Sequence, residues 1–244
     1  MSKFFALALL LHLNSCSFAQ LPKIDTDRPD QTESAFLVPK GYFQFEFGAT
    51  MQQIVKGEKE YELPAILSKY GFSRRIEFRL ITTNIKQQGL APIEIGTKIA
   101  LLEERKLIPK TSLLMHVGIP KLAAKKLQLE RLAPNFRFSF QHTITDHMAL
   151  GYNLGAEWDG FNAEPGWIYT LSPGFDLSEK WYAYIEAFGM ITKLDAPEHT
   201  IDGGFAHYIN PGLKVDLSAG IGISPAAPDW YVSIGCSLRF AAKK

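Results

Sequence analysis

Cysteine is nearly absent from this chain of 244 residues. It has only Cys16 and Cys236, and the first lies in a segment that we expect to be removed. A single remaining cysteine cannot form an internal disulfide, which excludes the class of small secreted domains that disulfides stabilise. No apolar run after residue 20 reaches the ~20 residues that a membrane-spanning helix needs, so any crossing of a membrane must use strands.

The chain also lacks an excess of charge of either sign. Loss of residues 1–19 removes Lys3 and leaves basic and acidic residues equal in number, at 25 each. Such a balance produces no net field that would attract nucleic acid, and we expect no nucleic-acid partner.

Motifs for catalysis and metal binding are scarce. Five histidines follow the N-terminal apolar segment without the spacing of metal ligands: His116, His142, His147, His199 and His207. No Gly-x-Ser-x-Gly nucleophile motif is present. We therefore expect no enzymatic activity, no cofactor and no bound metal. The alternative of an outer-membrane hydrolase would require Ser112 or Ser139 to lie beside His142.

The first residues have the pattern of a secretion signal. Lys3 precedes an apolar run over residues 4–13, and Ser17–Phe18–Ala19 supplies the small residues that a signal peptidase reads. We predict a signal peptide over residues 1–19, with Gln20 as the mature start. A lipoprotein signal at Cys16 is the alternative, although Asn14 fits its consensus poorly.

Apolar and polar residues alternate strictly near the C-terminus. One face of the predicted last strand is apolar, comprising Trp230, Val232, Ile234, Cys236, Leu238 and Phe240, and the residues between them are mostly polar. Successive side chains of a strand point to opposite faces, so this strand has one apolar and one polar side. About twelve such segments follow one another from residue 42, and most reach the roughly 9–11 residues that a tilted membrane strand needs.

The connections between these segments alternate between short turns and longer loops rich in charge, Gly and Pro, as expected for the two ends of an outer-membrane barrel. Aromatic residues gather at strand ends, where interfacial girdles form: Trp158, Trp167, Trp181, Tyr208, Trp230 and Phe240. We predict an all-β fold, a transmembrane antiparallel up-and-down β-barrel of about 12 strands over residues 41–240, with a tail over 241–244. A soluble all-β protein would not explain the strand lengths together with the signal peptide.

Charged residues of both signs lie on the polar faces of the predicted strands. Because a charge facing mid-bilayer lipid costs ~2–4 kcal/mol, these side chains should point into the lumen. The lumen-lining candidates are Glu46, Glu77, Arg79, Glu94, Lys98, Arg137, Glu157, Glu186, Asp216 and Arg239. They either line an aqueous path or pair with one another and hold a closed barrel rigid.

Residues 20–40 form a polar segment without helical or strand periodicity. It concentrates charge in nine residues, and its plug or gate candidates are Asp25, Asp27, Arg28, Asp30 and Glu33. We expect the segment either to fold into the lumen and pair with its basic residues or to remain a solvated periplasmic arm. A calcium loop is disfavoured because the glycine and distal glutamate of an EF-hand are missing.

The opening Thr26–Asp27–Arg28–Pro29–Asp30–Gln31–Thr32–Glu33–Ser34, followed by Val38–Pro39–Lys40–Gly41–Tyr42, resembles the "putative MetA-pathway of phenol degradation" family. Later matches include Tyr70–Gly71, Arg75–Ile76–Glu77–Phe78–Arg79–Leu80 and Gly235–Cys236–Ser237–Leu238–Arg239–Phe240. The resemblance extends over almost the whole mature chain. It implies an outer-membrane barrel that passes small, hydrophobic or aromatic compounds.

These observations lead to one leading hypothesis and one alternative. The first is a monomeric channel or transporter in the bacterial outer membrane, in contact with outer-membrane lipid and inserted by the barrel assembly machinery, for a small-molecule solute that the sequence does not identify. The alternative is a closed barrel with a structural or interaction role and no transport.

Overall fold

Strict alternation of apolar and polar residues generates a β-barrel in the computed structural model, which describes residues 22–54 and 57–242. The predicted signal peptide, its cleavage site and the last two residues of the tail lie outside these ranges. Within the described residues, no helix is both long and apolar enough to cross a membrane.

Twelve long strands and one two-residue strand make up a single sheet. The long strands are β1 Tyr42–Gln53, β2 Lys59–Gly71, β3 Ile76–Ile85, β5 Glu94–Leu102, β6 Lys110–Gly118, β7 Ala133–Thr145, β8 Met148–Glu157, β9 Gly166–Asp176, β10 Trp181–Ile191, β11 Glu198–Asn210, β12 Leu213–Gly222 and β13 Trp230–Ala241. The short strand β4, Gly89–Leu90, pairs with the end of β3, and a 3-10 helix spans Lys125–Leu127.

The twelve long strands close into a ring of antiparallel pairs. Each strand pairs with its neighbours in sequence, and β1 pairs with both β2 and β13, so that Phe43 lies opposite Phe240. Closure leaves no sheet edge in the barrel wall, which is the condition for a sheet to span lipid. The predicted transmembrane barrel is confirmed, and β4 and the 3-10 helix are the elements that the sequence did not indicate.

The two ends of the barrel differ in the length of their connections. One end, the turn end, has mostly short connections, together with the N-terminus of β1 and the C-terminus of β13. The other, the loop end, has the longer connections, of which residues 119–132 form the longest. In outer-membrane barrels the short turns face the periplasm and the long loops face outward.

Strand β2 departs from regular pairing at Pro64. The register shifts between Glu62 and Ala65 against β3 and between Gly48 and Thr50 against β1. Proline has no backbone N–H to donate to a neighbouring strand, so a bulge at this position is the expected consequence.

The outer face is apolar, and most of the predicted girdle residues lie on it. Trp167, Trp181 and Phe240 have between 47 and 59% of their surface exposed toward the membrane. Tyr208 does not lie on the outer face, so its assignment to an interfacial girdle was wrong. It lies opposite Lys214 on the inner face and contacts the Lys23 and Lys214 ammonium groups through its ring.

Substitution of Ile185 by arginine should lower the free energy of unfolding by ~2–4 kcal/mol, because it places a charge in the middle of the lipid-facing surface. Ile185 is 60% exposed near the middle of β10. Denaturant titration of the barrel in lipid vesicles measures the effect. Leu107→Arg is the matched control, since Leu107 is 92% exposed in the turn between β5 and β6. Equal stability of the two variants would contradict the lipid-facing assignment.

Candidate functional site: the lumen and the N-terminal segment

The ten residues predicted to line the lumen all lie on the inner face of the barrel. Six are buried there: Glu46, Glu77, Arg79, Lys98, Glu186 and Asp216. Four are partly exposed, namely Glu94, Arg137, Glu157 and Arg239. The Arg137 guanidinium lies 3.3 Å from the Glu157 carboxylate, and the Arg239 guanidinium donates to the carbonyl of Pro22 at 2.6 Å.

Residues 22–41, which we call the N-terminal segment, enter the barrel at its turn end and return to that end. The amide of Ile24 donates to the carbonyl of Pro211 in the turn before β12, at 2.8 Å. The amide of Gly41 donates to the carbonyl of Gly71 at the end of β2, at 2.7 Å. Between these two anchors the segment contacts inner-face side chains of nine strands, so it occupies the lumen rather than extending away from it.

Asp27 is the centre of the strongest ionic contact between the segment and the wall. Its carboxylate lies 2.7 Å from the Lys69 ammonium and 2.9 Å from both the Arg79 guanidinium and the Lys98 ammonium. Burial alone would raise the pKa of the Asp27 carboxyl, but these three cations outweigh it and hold the pKa well below its usual range. Strands β2, β3 and β5 therefore bind the segment through one aspartate.

The other four plug or gate candidates also have polar partners, three of them on the wall and one within the segment. The Arg28 guanidinium donates to Asp216 on β12 at 2.9 Å, and Glu33 accepts from Arg79 at 2.9 Å. Asp30 accepts a hydrogen bond from the Ser172 hydroxyl at 3.1 Å. Asp25 is exposed at the turn end, where its carboxylate accepts from the Ser34 hydroxyl.

Backbone groups of the segment are also satisfied by carboxylates of the wall. Glu46 accepts from the amides of Asp27 and Arg28 at 3.0 and 3.1 Å, and Glu77 accepts from the amide of Val38 at 2.6 Å. A segment without helix or sheet would otherwise bury unpaired amides, which is costly. Glu46 and Glu77 thus bind the backbone of the segment, while Lys69, Arg79 and Lys98 bind the carboxylate of Asp27.

Two wall lysines that bind the segment were not among the predicted site residues. Lys69 contacts Asp27 and Glu46, and the Lys214 ammonium donates to the carbonyl of Arg28 at 2.6 Å. The alternation of β12 places Lys214 on the inner face together with Asp216, so the sequence did contain that signal. The bulge at Pro64 interrupts the alternation of β2, so the sequence did not indicate that Lys69 lies on the inner face.

Two cavities lie on either side of the segment. The loop-side cavity has a volume of about 520 Å³ and is lined partly by apolar side chains, including Leu67, Ile81 and Ile168. The turn-side cavity has a volume of about 190 Å³ and is lined by Tyr182 and Lys214, among others. Three residues of the segment line both cavities: Arg28, Asp30 and Glu33.

The serine–histidine pairing required for a hydrolase is contradicted. Ser112 and Ser139 are buried on the inner face, and neither hydroxyl has a hydrogen-bond partner among the described residues. His142 lies on the outer face, where its ring stacks on that of Tyr152. Across residues 22–54 and 57–242, no three His, Cys, Asp or Glu side chains are arranged to hold a metal ion.

Known proteins provide a family and a fold for comparison. The model of the family described as "Putative MetA-pathway of phenol degradation" matches residues 26–240. No curated protein matches this chain in sequence.

Solved structures with a similar fold are outer-membrane channels and porins. The COG4313 outer membrane channel from Pseudomonas putida F1 aligns with a TM-score of 0.65 at 9% identity, covering 89% of this chain and 100% of that one. The KdgM porin aligns with a TM-score of 0.57 at 8% identity, over 81% of this chain and 99% of that one. The CymD monoaromatic hydrocarbon channel aligns with a TM-score of 0.51 at 9% identity, over 84% and 89% of the two chains. At these identities the likeness is one of fold.

Proposed function

The chain belongs to the family described as "Putative MetA-pathway of phenol degradation", and from this membership and the geometry of the lumen we propose that it is an outer-membrane channel for small solutes. The observation that carries the proposal is that Arg28, Asp30 and Glu33 line both cavities. A solute that crosses the barrel passes between these side chains and the wall. The N-terminal segment is then the constriction of the path and acts as its gate.

The loop-side cavity favours solutes with an apolar body. Leu67 and Ile81 face it from neighbouring strands, and Ile168 faces it from β9, while charged side chains such as Arg137 and Glu157 occupy other parts of its lining. Binding pockets for small molecules commonly combine an apolar lining with a few polar groups that orient the ligand. Small hydrophobic or aromatic compounds fit this description, in keeping with the family and with the monoaromatic hydrocarbons of the CymD channel.

The same proposal assigns the location and the assembly of the protein. The apolar outer face contacts the lipid of the bacterial outer membrane, and the chain acts as a monomer, whose barrel is complete without strands from a second copy. A signal peptide ending near Ala19 would direct export. The barrel assembly machinery would then read the last strand, in which Phe240 lies on the outer face before the tail.

Leu67→Trp should slow solute entry severalfold, because the larger side chain occupies part of the loop-side cavity. The measurement is the swelling rate of protein-containing liposomes in a series of small sugars, which do not cross the lipid unaided. Leu217→Trp is the matched control, since Leu217 is 57% exposed on the lipid-facing side of β12. Absence of swelling with wild-type protein for every solute would favour the alternative of a closed barrel with a structural or interaction role.

A further inference from the structure

Carboxylates surround the lumen at the loop end of the barrel. Four glutamates lie on the inner face where their strands reach that end: Glu62 on β2, Glu94 on β5, Glu157 on β8 and Glu198 on β11. Between one and three long strands separate each of them from the next, so they are distributed around the wall. We call these four residues the glutamate ring.

The side chains of the glutamate ring are accessible from the lumen. Glu62, Glu157 and Glu198 line the loop-side cavity, whose volume is about 520 Å³. The side chains of Glu94 and Glu157 are 34 and 33% exposed, and Glu62 and Glu198 are half-buried. A solute or a hydrated ion in the cavity therefore lies close to their charges.

The ring carries more negative charge than the neighbouring basic residues neutralise. The Arg137 guanidinium lies 3.3 Å from the Glu157 carboxylate. Neither Glu62 nor Glu198 forms an ion pair or a side-chain hydrogen bond with any other residue that the structure describes. One basic side chain thus serves the whole ring.

The histidine beside Glu94 is neutral and does not offset the charge of that carboxylate. Nδ1 of His116 lies 3.9 Å from the Glu94 carboxylate. The Arg79 guanidinium donates to Nε2 of the same imidazole at 3.0 Å. A nitrogen that accepts a hydrogen bond carries no proton, so the imidazole is not the doubly protonated cation.

The ion-pair network around Asp27 does not offset the ring either. Its three cations have side chains that are at most 3% exposed: Lys69, Arg79 and Lys98. Its carboxylates outnumber them: Asp27, Glu33, Glu46 and Glu77. Arg28 lines the loop-side cavity but pairs with Asp216 at 2.9 Å. The cations of this region are therefore buried or paired, while the carboxylates of the ring remain accessible.

Exposed charge of one sign in a cleft concentrates ions of the opposite sign. Rings of acidic side chains favour cations in this way in cation channels. The Debye length is about 10 Å at 0.1 M salt, so salt screens the ring incompletely for a solute inside the cavity.

We propose that the glutamate ring makes the channel selective for cations, and that its solutes are small organic cations rather than organic anions. The inference rests on the channel function proposed above and specifies the charge of its solutes. The ring provides the preference for positive charge, and the apolar lining, including Leu67, Ile81 and Ile168, contacts the apolar part of the solute.

The test measures reversal potentials of the full-length protein in planar bilayers at neutral pH. In a gradient of potassium chloride near 0.1 M, potassium should be severalfold more permeant than chloride. The ratio should fall at about 1 M salt, where the Debye length is about 3 Å. Benzylammonium chloride and potassium benzoate provide organic ions with the same aromatic ring and opposite charge, and benzylammonium should be severalfold more permeant than benzoate.

The double variant Glu62→Gln with Glu198→Gln should lower both permeability ratios severalfold. The change keeps the shape of each side chain, and neither carboxylate has a partner among the described residues, so folding should be unchanged by circular dichroism. Asp146→Asn with Glu179→Gln is the matched control, because it removes the same charge from exposed turns at the turn end. Its permeability ratios should equal those of the wild type.

The possible failures are distinguishable. Conductance with chloride and benzoate at least as permeant as the cations would overturn the cation selectivity and leave the channel function in place. Permeability ratios that do not change in the Glu62 and Glu198 variant, or that fall equally in the control, would also overturn it. Absence of conductance in both the wild type and the variant lacking residues 24–36 would instead overturn the channel function, and the selectivity with it.

Discussion

Deletion of residues 24–36 should raise the single-channel conductance severalfold. These residues occupy the lumen between the two cavities, and the three that line both cavities are among them. Without them the loop-side and turn-side cavities become one path whose width is set by the wall. A barrel of twelve strands lies between the eight-stranded barrels that side chains fill and the porins of 16–18 strands that hold wide channels, so the widened path should still be narrow. Recording in planar bilayers, at matched salt, measures the change.

A reversible tether provides the complementary control. The hydroxyls of Thr32 and Thr170 are 2.6 Å apart, so cysteines at both positions, in a Cys236→Ser background, lie close enough for a disulfide. The oxidised form should keep the low conductance of the closed state and show no opening events, and reduction should restore wild-type recordings. If the deletion variant conducts no better than the wild type, the segment is not the constriction.

Asp27→Asn should cause the second large effect, a loss of about 3–5 kcal/mol of stability, which is the range for removing one partner of a buried ion pair. The substitution leaves Lys69, Arg79 and Lys98 with one fewer negative charge at distances of 2.7–2.9 Å. Release of the N-terminal segment would avoid part of this cost, so the variant should also approach the conductance of the deletion. Unfolding in guanidinium, followed by tryptophan fluorescence, measures the stability.

A matched substitution and a double variant distinguish the loss of the Asp27 ion pairs from the general effect of removing a negative charge on stability. Asp146→Asn removes the same charge in an exposed turn and should change stability by a few tenths of a kcal/mol, as surface substitutions usually do. Combining Asp27→Asn with Lys98→Met removes one of the three cations that lose the Asp27 carboxylate and should recover part of the loss. A double variant that is no more stable than Asp27→Asn alone would contradict the ionic account.

The barrel and the inward orientation of its charged side chains were predictable because both follow from local rules. A strand points successive side chains to opposite faces, and lipid excludes charge, so the alternation around Glu46, Glu77 and Glu186 was sufficient to place them inside. The positions that resisted prediction are those where the local pattern breaks. Pro64 interrupts the alternation of β2, so the inner-face position of Lys69 could not be predicted. Tyr208 lies on the inner face, although its aromatic ring at a strand end suggested a place in a girdle.

The partners of the N-terminal segment illustrate the limit of sequence reasoning. Its density of charge was consistent with two arrangements. The segment could pair with basic residues inside the lumen, as a plug, or remain solvated as a periplasmic arm. Asp27 meets Lys69, Arg79 and Lys98, whose positions in the chain are 42, 52 and 71 residues away. Closure of the ring of strands brings those three cations to one height in the lumen. No pattern among neighbouring residues predicts that they meet there.

The sequence by itself determined the architecture of this protein, because a period of two residues, the length of each run and the alternation of turns and loops are properties of neighbouring residues. Only the tertiary structure decided which charges meet and where the two cavities lie. Those features depend on the register between strands and on the path of the N-terminal segment through the closed barrel. Long-range closure is their common physical cause.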